Sequence, residues 1–347
     1  MDEEVKGMYS AELKAFLKEW NDSSDAVLVH TSGSTGTPKP MWVEKHRMEA
    51  SARLTCDFLH LRQGDTALLC MPLQYIAGKM VVVRSLVRGL RLVEVTPSGH
   101  PLAGLSESPT FAAMVPMQVY NSLRVPRERE LLEGIRHLII GGGAVDEAME
   151  RELRHFPGAV WSTYGMTETL SHIAMRRISG ESASAYYTPM EGVEVTLSER
   201  GTLRIYAPHV CTDRLTTNDV AEIREDGSFR ILGRIDNVVC SGGIKIQIEE
   251  VEQMLVGAFE RREGHLPRVG ERMQLTGVAD AKFGQRLVAL VECEPAVWQP
   301  LADELPTYYR PKQFLQVGAL QMTETGKPRR AWAAQLASEL LEKIVQR

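Results

Sequence analysis

One stretch of the chain combines glycines, hydroxyl groups and a lysine as phosphate binding requires. HTSGSTGTPKP begins at His30 and directly follows the apolar run AVLVH. Gly33 and Gly36 free the backbone so that successive N–H groups can point at one anion. Lys39 adds a positive charge, and hydroxyl donors come from Thr31, Ser32, Ser34, Thr35 and Thr37. The stretch predicts a phosphate-binding loop without Walker A spacing, and a flexible solvent loop is the alternative.

Two further stretches carry acids suited to a nucleotide. In STYGMTET, Tyr164 offers a stacking face, and Glu168 is the hard oxygen ligand that Mg2+ prefers. In TTNDVAEI, Asp219 could accept hydrogen bonds from two vicinal hydroxyls. Ordinary turns beside strands are the alternatives for both.

A glycine triplet lies in LIIGGGAVDEAM, between an apolar run and a helical pattern. Asp146 stands where a dinucleotide fingerprint has its third glycine, so that fingerprint is incomplete. The triplet predicts a tight strand-to-helix turn. The alternative function of a nicotinamide dehydrogenase is supported by these three glycines alone.

The pattern around these stretches predicts an α/β fold. The apolar runs AVLVH, TALLCMP, LRLVEV, TFAAMVP and HLIIGGG alternate with helical segments, as in a parallel sheet with crossover helices. A surface helix is expected from about Ser10, with Leu13, Phe16 and Leu17 facing the core. From about Thr188, short alternating strands follow, with a hairpin signal at Asp226-Gly227. A mixed segment follows Arg234, so we expect domains at 1–233 and 234–347.

Composition narrows the function classes. The 347 residues are 44% hydrophobic and 24% charged, with a net charge of −5. The negative balance argues against general nucleic-acid binding, and no apolar run reaches bilayer length. The five cysteines are odd in number and form no C-x-x-C pair, so they indicate neither a zinc site nor a disulfide framework. This cysteine usage fits a reducing cytoplasm.

Taken together in order, these stretches resemble the adenylate-forming superfamily of acyl- and aryl-CoA ligases, adenylation domains and luciferases. The resemblance implies that ATP, Mg2+ and coenzyme A take part. It implies that Thr167 bonds the α-phosphate, that Glu168 binds Mg2+ and that Asp219 binds ribose. Asn218 replaces the family's usual glycine. The wall around adenine and the α-phosphate would comprise Gly141, Gly142, Gly143, Ala144, Ser162, Thr163, Tyr164 and Gly165.

Two later segments extend the resemblance. GRIDNVVCSGGIKIQIEEVE implies that Arg234 contacts ribose or phosphate, that Asp236 is the hinge, and that Ser241, Gly242 and Gly243 approach the thiol arm of CoA. The family often has a second acid where Asn237 stands. TETGKPRR implies that Lys327 serves adenylation, and a solvated surface lysine is the alternative.

The match departs from the family at its beginning. Only about 30 residues precede the phosphate loop, where family members carry a long N-terminal subdomain. We therefore expect a large α/β domain with a truncated N-terminal subdomain, a small β-rich subdomain, and a small mobile α+β C-terminal domain. A homodimer could cover the surface left exposed. A non-catalytic nucleotide-binding relative is the alternative.

The acid pocket is indicated by MPLQYIAGKMVVVRSL together with MTETLSHIAMR. These segments resemble the o-succinylbenzoate–CoA ligase family of menaquinone biosynthesis, including its shortened bacterial forms. The resemblance implies a small aromatic acid with a second carboxylate, for which Lys79 is the candidate cation. Tyr75, Gly78 and His172 are candidate pocket residues. A snorkelling lysine, a satisfied core histidine and a ligase for another aryl or acyl acid remain alternatives.

Overall fold

The computed structural model describes residues 9–30, 40–143, 145, 147–322 and 328–345. Contacts divide the chain into two compact units. The first comprises Met1–Thr196, Arg204–Thr216 and Ile223–Arg230, and the second Leu197–Leu203, Thr217–Glu222 and Ile231–Arg347. The boundary at 233/234 stays a prediction.

The first unit begins with an amphipathic helix and a hairpin-like pair of strands. Helix α1 spans Ala11–Trp20, strand β1 Ala26–His30 and strand β2 Pro40–Glu44. Ser10 caps α1 by accepting a hydrogen bond from the Leu13 amide, and its own amide donates to Glu94 at 2.9 Å. Among the described residues, strand β1 pairs only with β2, antiparallel, so its predicted place in the parallel sheet is wrong.

A seven-stranded sheet forms the centre of this unit, in the order β4-β3-β5-β6-β7-β8-β9. The five strands β3 to β7 run parallel in it, whereas β8 pairs antiparallel with β7 and β9 pairs antiparallel with β8. The parallel arrangement predicted from the four runs TALLCMP to HLIIGGG is therefore confirmed. The strands are β3 Thr66–Leu69, β4 Arg91–Glu94, β5 Phe111–Met114, β6 His137–Ile140, β7 Ala159–Gly165, β8 His172–Arg177 and β9 Thr188–Pro189.

Five helices connect and cover these strands: α2 Lys45–Phe58, α3 Ile76–Arg88, α4 Pro116–Leu123, α5 Pro126–Glu133 and α6 Glu147–Leu153. The core cluster joins β-strand residues such as Leu68, Met114 and Ile140 to Val119 of α4 and Leu153 of α6. Sheet residues buried on both faces explain why the runs read as continuously apolar.

A four-stranded sheet follows, in the order β10-β11-β12-β13. Its strands are β10 Glu194–Leu197, β11 Thr202–Tyr206, β12 Leu215–Ile223 and β13 Phe229–Arg234. Gly227 has φ +80° between β12 and β13, as the predicted turn at Asp226-Gly227 requires.

The second unit ends in an α+β arrangement. Strands β14 Val238–Ser241, β15 Ile244–Gln247, β16 Met273–Asp280, β17 Gly284–Val291 and β18 Gln313–Gln316 share one sheet. Helix α7, Ile248–Glu263, and helix α8, Pro295–Ala302, pack around Phe259 and Trp298. Helix α9, Arg330–Val345, contributes Ala333, Ala337 and Leu341 to a separate cluster. No helix in the described part of the chain is long and apolar enough to cross a membrane.

Candidate functional site

The carboxyl ends of the parallel strands bring the glycine triplet beside β7. A Cβ on Gly141 would lie 2.5 Å from the hydroxyl oxygen of Thr163, and that hydroxyl donates to the carbonyl of Ile140 at 3.2 Å. Gly142 has φ +80°. The triplet therefore forms the predicted tight turn at the edge where open α/β sheets bind ligands. Ala144 lies outside the described residues.

Three aromatic rings gather at the end of β7. Tyr187 stacks on Phe229 at a centroid distance of 5.6 Å, and Tyr164 meets the Phe229 ring edge-on at 5.2 Å. The hydroxyls of Ser162 and Tyr187 are 2.9 Å apart. The ring of Tyr164 is therefore packed against two other aromatic rings beside the glycine turn. Sequence analysis missed Tyr187 and Phe229, because a two-residue bridge joins them across about 40 residues of chain.

After β7 the backbone folds back sharply on itself. A Cβ on Gly165 would lie 2.3 Å from the carbonyl oxygen of Ser171, so only glycine fits there. Thr167 and Glu168 lie in a short 3-10 helix, Thr167–Thr169, and Leu170 after it has φ +64°. Such a conformation is unusual for leucine, and it is held by a hydrogen bond from the Leu170 amide to Thr167.

Glu168 is exposed, and it takes part in no ion pair within the part of the chain described. Mg2+ is commonly held by one or two carboxylates together with substrate phosphates. No group of three or more potential metal ligands occurs among the described residues. Glu168 therefore fits a magnesium ion that arrives with a nucleotide.

Arg84 on α3 is a buried cation that sequence analysis missed. Its residue surface is only 2% exposed, and its Nη2 donates to the Ser171 hydroxyl at 2.6 Å. Among the described residues, its Nε has no hydrogen-bond partner and its guanidinium has no ion pair. Burial lowers its pKa to about 10, so it still carries its charge at neutral pH. A buried charge is costly unless it is paired and hydrogen-bonded, so this guanidinium is a candidate to bind an anionic ligand.

A directed chain of hydrogen bonds continues from Arg84. Because arginine can only donate, Ser171 accepts from it and donates to Nδ1 of His172 at 3.3 Å. Nε2 of His172 lies 3.0 Å from the Thr55 hydroxyl, which donates to the Ser51 carbonyl. The consistent assignment is a neutral His172 that carries its proton on Nε2. Burial, together with the charge of Arg84, holds the pKa of His172 well below its ordinary value.

His172 makes stability depend on pH. The unfolded histidine takes up a proton below about pH 6.5, whereas the folded one does not, so the free energy of unfolding should fall as pH drops from 7 to 5. His137, whose pKa burial lowers to about 4, acts in the same direction. Urea unfolding at pH 7, 6 and 5 measures the slope. The His172→Gln variant should have a shallower slope, and equal slopes would contradict the assignment.

Lys79, the predicted pocket cation, has partners in the protein. Its ammonium donates to the Leu28 carbonyl at 2.8 Å, pairs with Glu19 at 3.4 Å, and lies 4.8 Å from the centre of the Phe16 ring. These contacts with α1 and β1 favour the alternative of a structural lysine. Gly78 is equally constrained, because a Cβ there would lie 2.5 Å from the Pro72 carbonyl. Tyr75 precedes α3 as its N-cap residue.

Replacing Lys79 with methionine should therefore lower the free energy of unfolding by about 1–2 kcal/mol, since the Leu28 carbonyl loses its charged donor. The KM for the acid should stay within about twofold. Urea unfolding and steady-state kinetics test both statements. A large rise in KM without loss of stability would return Lys79 to the pocket.

The predicted ribose and hinge residues form one network within the second unit. Arg234 makes two hydrogen bonds to Asp236, at 2.9 and 2.7 Å, and lies 3.5 Å from Asp219. Asn218 donates to Asp236 at 3.3 Å. The hydrogen bonds from Arg234 lower the pKa of Asp236. The side chain of Asn218 thus contacts the predicted hinge residue, a contact that the family's usual glycine at this position could not make.

Gly242 and Gly243 form the turn between β14 and β15. Their φ angles are +58° and +83°, the pattern of a two-residue hairpin turn. Ser241 pairs with Gly284 of β17, and the Gly242 amide donates to Phe283. The hairpin alone explains both glycines, and a ligand role for them stays a prediction. The predicted phosphate-loop residues and Lys327 lie outside the described residues: Thr31, Ser32, Gly33, Ser34, Thr35, Gly36, Lys39 and Lys327.

Comparison with known proteins gives a family match and several relatives. The family model described as AMP-binding enzyme matches residues 2–210. The 2-succinylbenzoate–CoA ligase of Listeria innocua is 25% identical over 342 residues, which cover 90% of this chain and 70% of that protein. The Escherichia coli K12 enzyme of the same name is 27% identical, covering 85% of this chain and 65% of its own length.

Solved structures agree on the fold. An acyl-CoA synthetase (AMP-forming)/AMP-acid ligase II-like protein from Dyadobacter fermentans is 33% identical, with a TM-score of 0.64 and 93% of each chain covered. The o-succinylbenzoate CoA synthetase from Bacillus subtilis, in complex with the acyl-adenylate intermediate OSB-AMP, has a TM-score of 0.72 at 22% identity. That match covers 88% of this chain and 68% of the other, and it shows likeness of fold alone.

Proposed function

Since this chain belongs to the AMP-binding enzyme family, we propose that it is an ATP-dependent, AMP-forming acid–CoA ligase that converts o-succinylbenzoate to o-succinylbenzoyl-CoA. In the first half-reaction, a carboxylate oxygen of the acid bonds to the α-phosphorus of ATP while the bond to the bridging oxygen breaks and pyrophosphate leaves. In the second, the sulfur of CoA bonds to the acyl carbon, its proton is released, and AMP leaves. The relatives named for this substrate support the choice of acid.

The observation that carries the proposal is the unpaired guanidinium of Arg84. It is charged, buried, and within one hydrogen bond of Ser171, whose carbonyl lies against Gly165. A cation so placed, beside the segment that carries Thr167 and Glu168, suits an acid with a second carboxylate. A fixed guanidinium can donate two parallel hydrogen bonds to that carboxylate.

The remaining residues divide the first half-reaction between them. The aromatic cluster around Tyr164 would offer adenine a rigid stacking face, and the Gly141–Gly143 turn would border the base. Asp219 would accept from the ribose hydroxyls, and Arg234 would donate to ribose or phosphate. The predicted phosphate-loop donors and Lys39 would hold the β- and γ-phosphates, with Lys327 and Thr167 facing the charge that develops at the α-phosphate. Mg2+ on Glu168 would supply charge neutralisation on the phosphates.

We assign the second half-reaction to a part of the C-terminal domain that does not contain Lys327. We keep domains 1–233 and 234–347 as part of the proposal, with Asp236 as the residue about which the smaller one rotates. Ser241, Gly242 and Gly243 would then approach the CoA thiol arm. The hydrogen bonds of Asp236 to Arg234 and Asn218 are the contacts such a rotation would exchange.

Pyrophosphate release with Mg-ATP, CoA and a panel of acids tests the proposal. The panel contains o-succinylbenzoate, benzoate and medium-chain fatty acids. Release with o-succinylbenzoate alone is the expected result. Release with another acid only would keep the mechanism and replace the substrate. If no acid of the panel causes pyrophosphate release while ATP still binds, the alternative of a non-catalytic nucleotide-binding relative is favoured.

A homodimer and a cytoplasmic location complete the proposal. Trp42 on β2 is 68% exposed, which is unusual for so large an apolar side chain outside an interface. The five cysteines are scattered and form no C-x-x-C pair, which supports a reducing compartment. Sedimentation velocity should show a dimer that Trp42→Ser weakens. A monomer at micromolar concentration would contradict the proposed homodimer.

A further inference from the structure

Strands β7 and β8 place an arginine on the same face of the large sheet as the ring of Tyr164. In their antiparallel register, Ser162 lies opposite Arg176, and Tyr164 lies opposite Ala174. Side chains alternate along a strand, so Ser162 and Tyr164 share one face, and so do the residues opposite them. Ala174 is small and fully buried, which leaves space on this face for larger side chains.

Arg176 joins helix α6 to the segment that precedes β9. Its Nη2 donates to the carboxylate of Glu150 on α6, and its Nη1 donates to the Ser184 carbonyl at 3.2 Å. Its guanidinium carbon lies 5.5 Å from the centre of the Tyr187 ring. The side chains of Arg176 and Glu150 are only 11% and 23% exposed. One mostly buried guanidinium thus contacts α6, the backbone at Ser184 and the ring of Tyr187.

These contacts connect the two sides of the predicted adenine site. On one side, helix α6 follows the Gly141–Gly143 turn along the chain. On the other side, Tyr187 stacks on Phe229, and the ring of Tyr164 packs edge-on against the same phenylalanine. The hydroxyl of Tyr187 is also 2.9 Å from that of Ser162. A shift of α6 or of Tyr187 would therefore change the spacing between the glycine turn and the aromatic rings.

The ion pair contributes more to geometry than to stability. A pair of charges withdrawn from water gains little net free energy over apolar packing, because both charges lose their hydration. The planar fork of an arginine is directional, however, so it fixes the positions of the groups that it contacts. The neighbouring Arg177 lies on the opposite face, where its guanidinium is 5.0 Å from the ring of Trp161.

We propose that Arg176 and Glu150 are positioning residues for the adenine of ATP, holding α6 and Tyr187 so that the glycine turn and the ring of Tyr164 keep a fixed separation around the base. The inference rests on the proposed function, because it takes the nucleotide to be ATP with its base beside Tyr164. Stacking depends on the distance and offset of the rings, so a displaced ring should bind the base less well.

Equilibrium binding of Mg-ATP, measured by calorimetry without acid or CoA, tests the pair in Arg176→Met, Glu150→Met and the double variant. The dissociation constant should rise about tenfold in each single variant, which corresponds to about 1.4 kcal/mol. The double variant should bind no more weakly than the weaker single variant, because all three lack the same contact. An unchanged dissociation constant in Arg176→Met would overturn the proposal.

The double variant also separates positioning from stability. Each single variant leaves one mostly buried charge without its partner, so its free energy of unfolding in urea should fall. The double variant removes both charges and should regain stability close to that of the native protein, while its affinity for ATP stays low. Recovery of ATP affinity together with stability would show a merely structural pair. In kinetics, the KM for ATP should rise while kcat and the KM for the acid stay within about twofold.

Two matched controls remove the same kinds of charge nearby. Arg177→Met changes the arginine on the opposite face of β8, and Glu152→Met changes the carboxylate of α6 that pairs with Arg124 and Arg129. Both should leave the dissociation constant for ATP within about twofold of the native value. A tenfold rise in either control would mean that any charge lost from α6 or β8 weakens binding, which would overturn the specific role.

The proposed function and the positioning pair can fail separately. If the native protein binds ATP but releases pyrophosphate with no acid of the panel, the ligase proposal fails, and the ATP dissociation constants still decide the pair. If the ligase activity is found while the variants bind ATP as the native protein does, the pair alone fails. If the native protein does not bind ATP, both proposals are overturned.

Discussion

Replacing Arg84 with methionine should raise the KM for o-succinylbenzoate about 100-fold while the KM for ATP changes less than about twofold. The guanidinium is buried, has no ion pair among the described residues, and donates to Ser171, two residues after the Ser162–Thr169 segment. A charged hydrogen-bonded contact with a carboxylate contributes up to about 3 kcal/mol, which corresponds to roughly that factor. Steady-state kinetics with each substrate varied in turn measure the effect.

The same variant should be more stable than the native protein, by about 1–2 kcal/mol of unfolding free energy. Methionine has a similar length and fills the site without a charge to desolvate, and replacing buried charges by apolar groups is often stabilising. A rise in KM together with a rise in Tm separates a ligand-binding arginine from a structural one. Lys79→Met, on the same helix, is the matched control, in which the free energy of unfolding should fall while the KM for the acid stays unchanged. A destabilised Arg84→Met with an unchanged KM would remove Arg84 from the pocket.

The two cations of α3 show where sequence reasoning succeeded and where it stopped. The apolar run KMVVVRSL lies in the largely buried helix α3, and its predicted place beside the acid pocket stays a prediction. Lys79 and Arg84 are five residues apart, which places them about 140° apart around the helix, on different faces. Only the positions of α1 and β8 decide which face meets which neighbour. An arginine within an apolar run was a usable signal, because arginine is rarely buried without a partner.

Local patterns predicted the elements that local forces decide. The parallel strands depend on short continuous apolar runs, and the Gly141–Gly143 turn and the Asp226-Gly227 hairpin depend on positive φ. Both signals lie within a few adjacent residues. The pairing of β1 was predicted wrongly, because a five-residue apolar run carries no information about its partner strand. The aromatic cluster of Tyr164, Tyr187 and Phe229 was missed for the same reason.

The second large effect is expected at Lys327. Its replacement by alanine should slow adenylation about 100- to 1,000-fold, because a preorganised positive charge at the developing phosphate charge contributes several kcal/mol to the transition state. Attack of CoA on preformed acyl-adenylate should stay within about threefold, since that step needs no charge from Lys327. Rapid-quench measurement of each half-reaction gives the two numbers. Lys343→Ala, in the exposed last turn of α9, is the control for loss of a lysine charge.

The ratio of the two half-reactions is more informative than either rate. A lysine that merely kept the domain folded would slow both steps alike, and equal losses would remove Lys327 from its catalytic role.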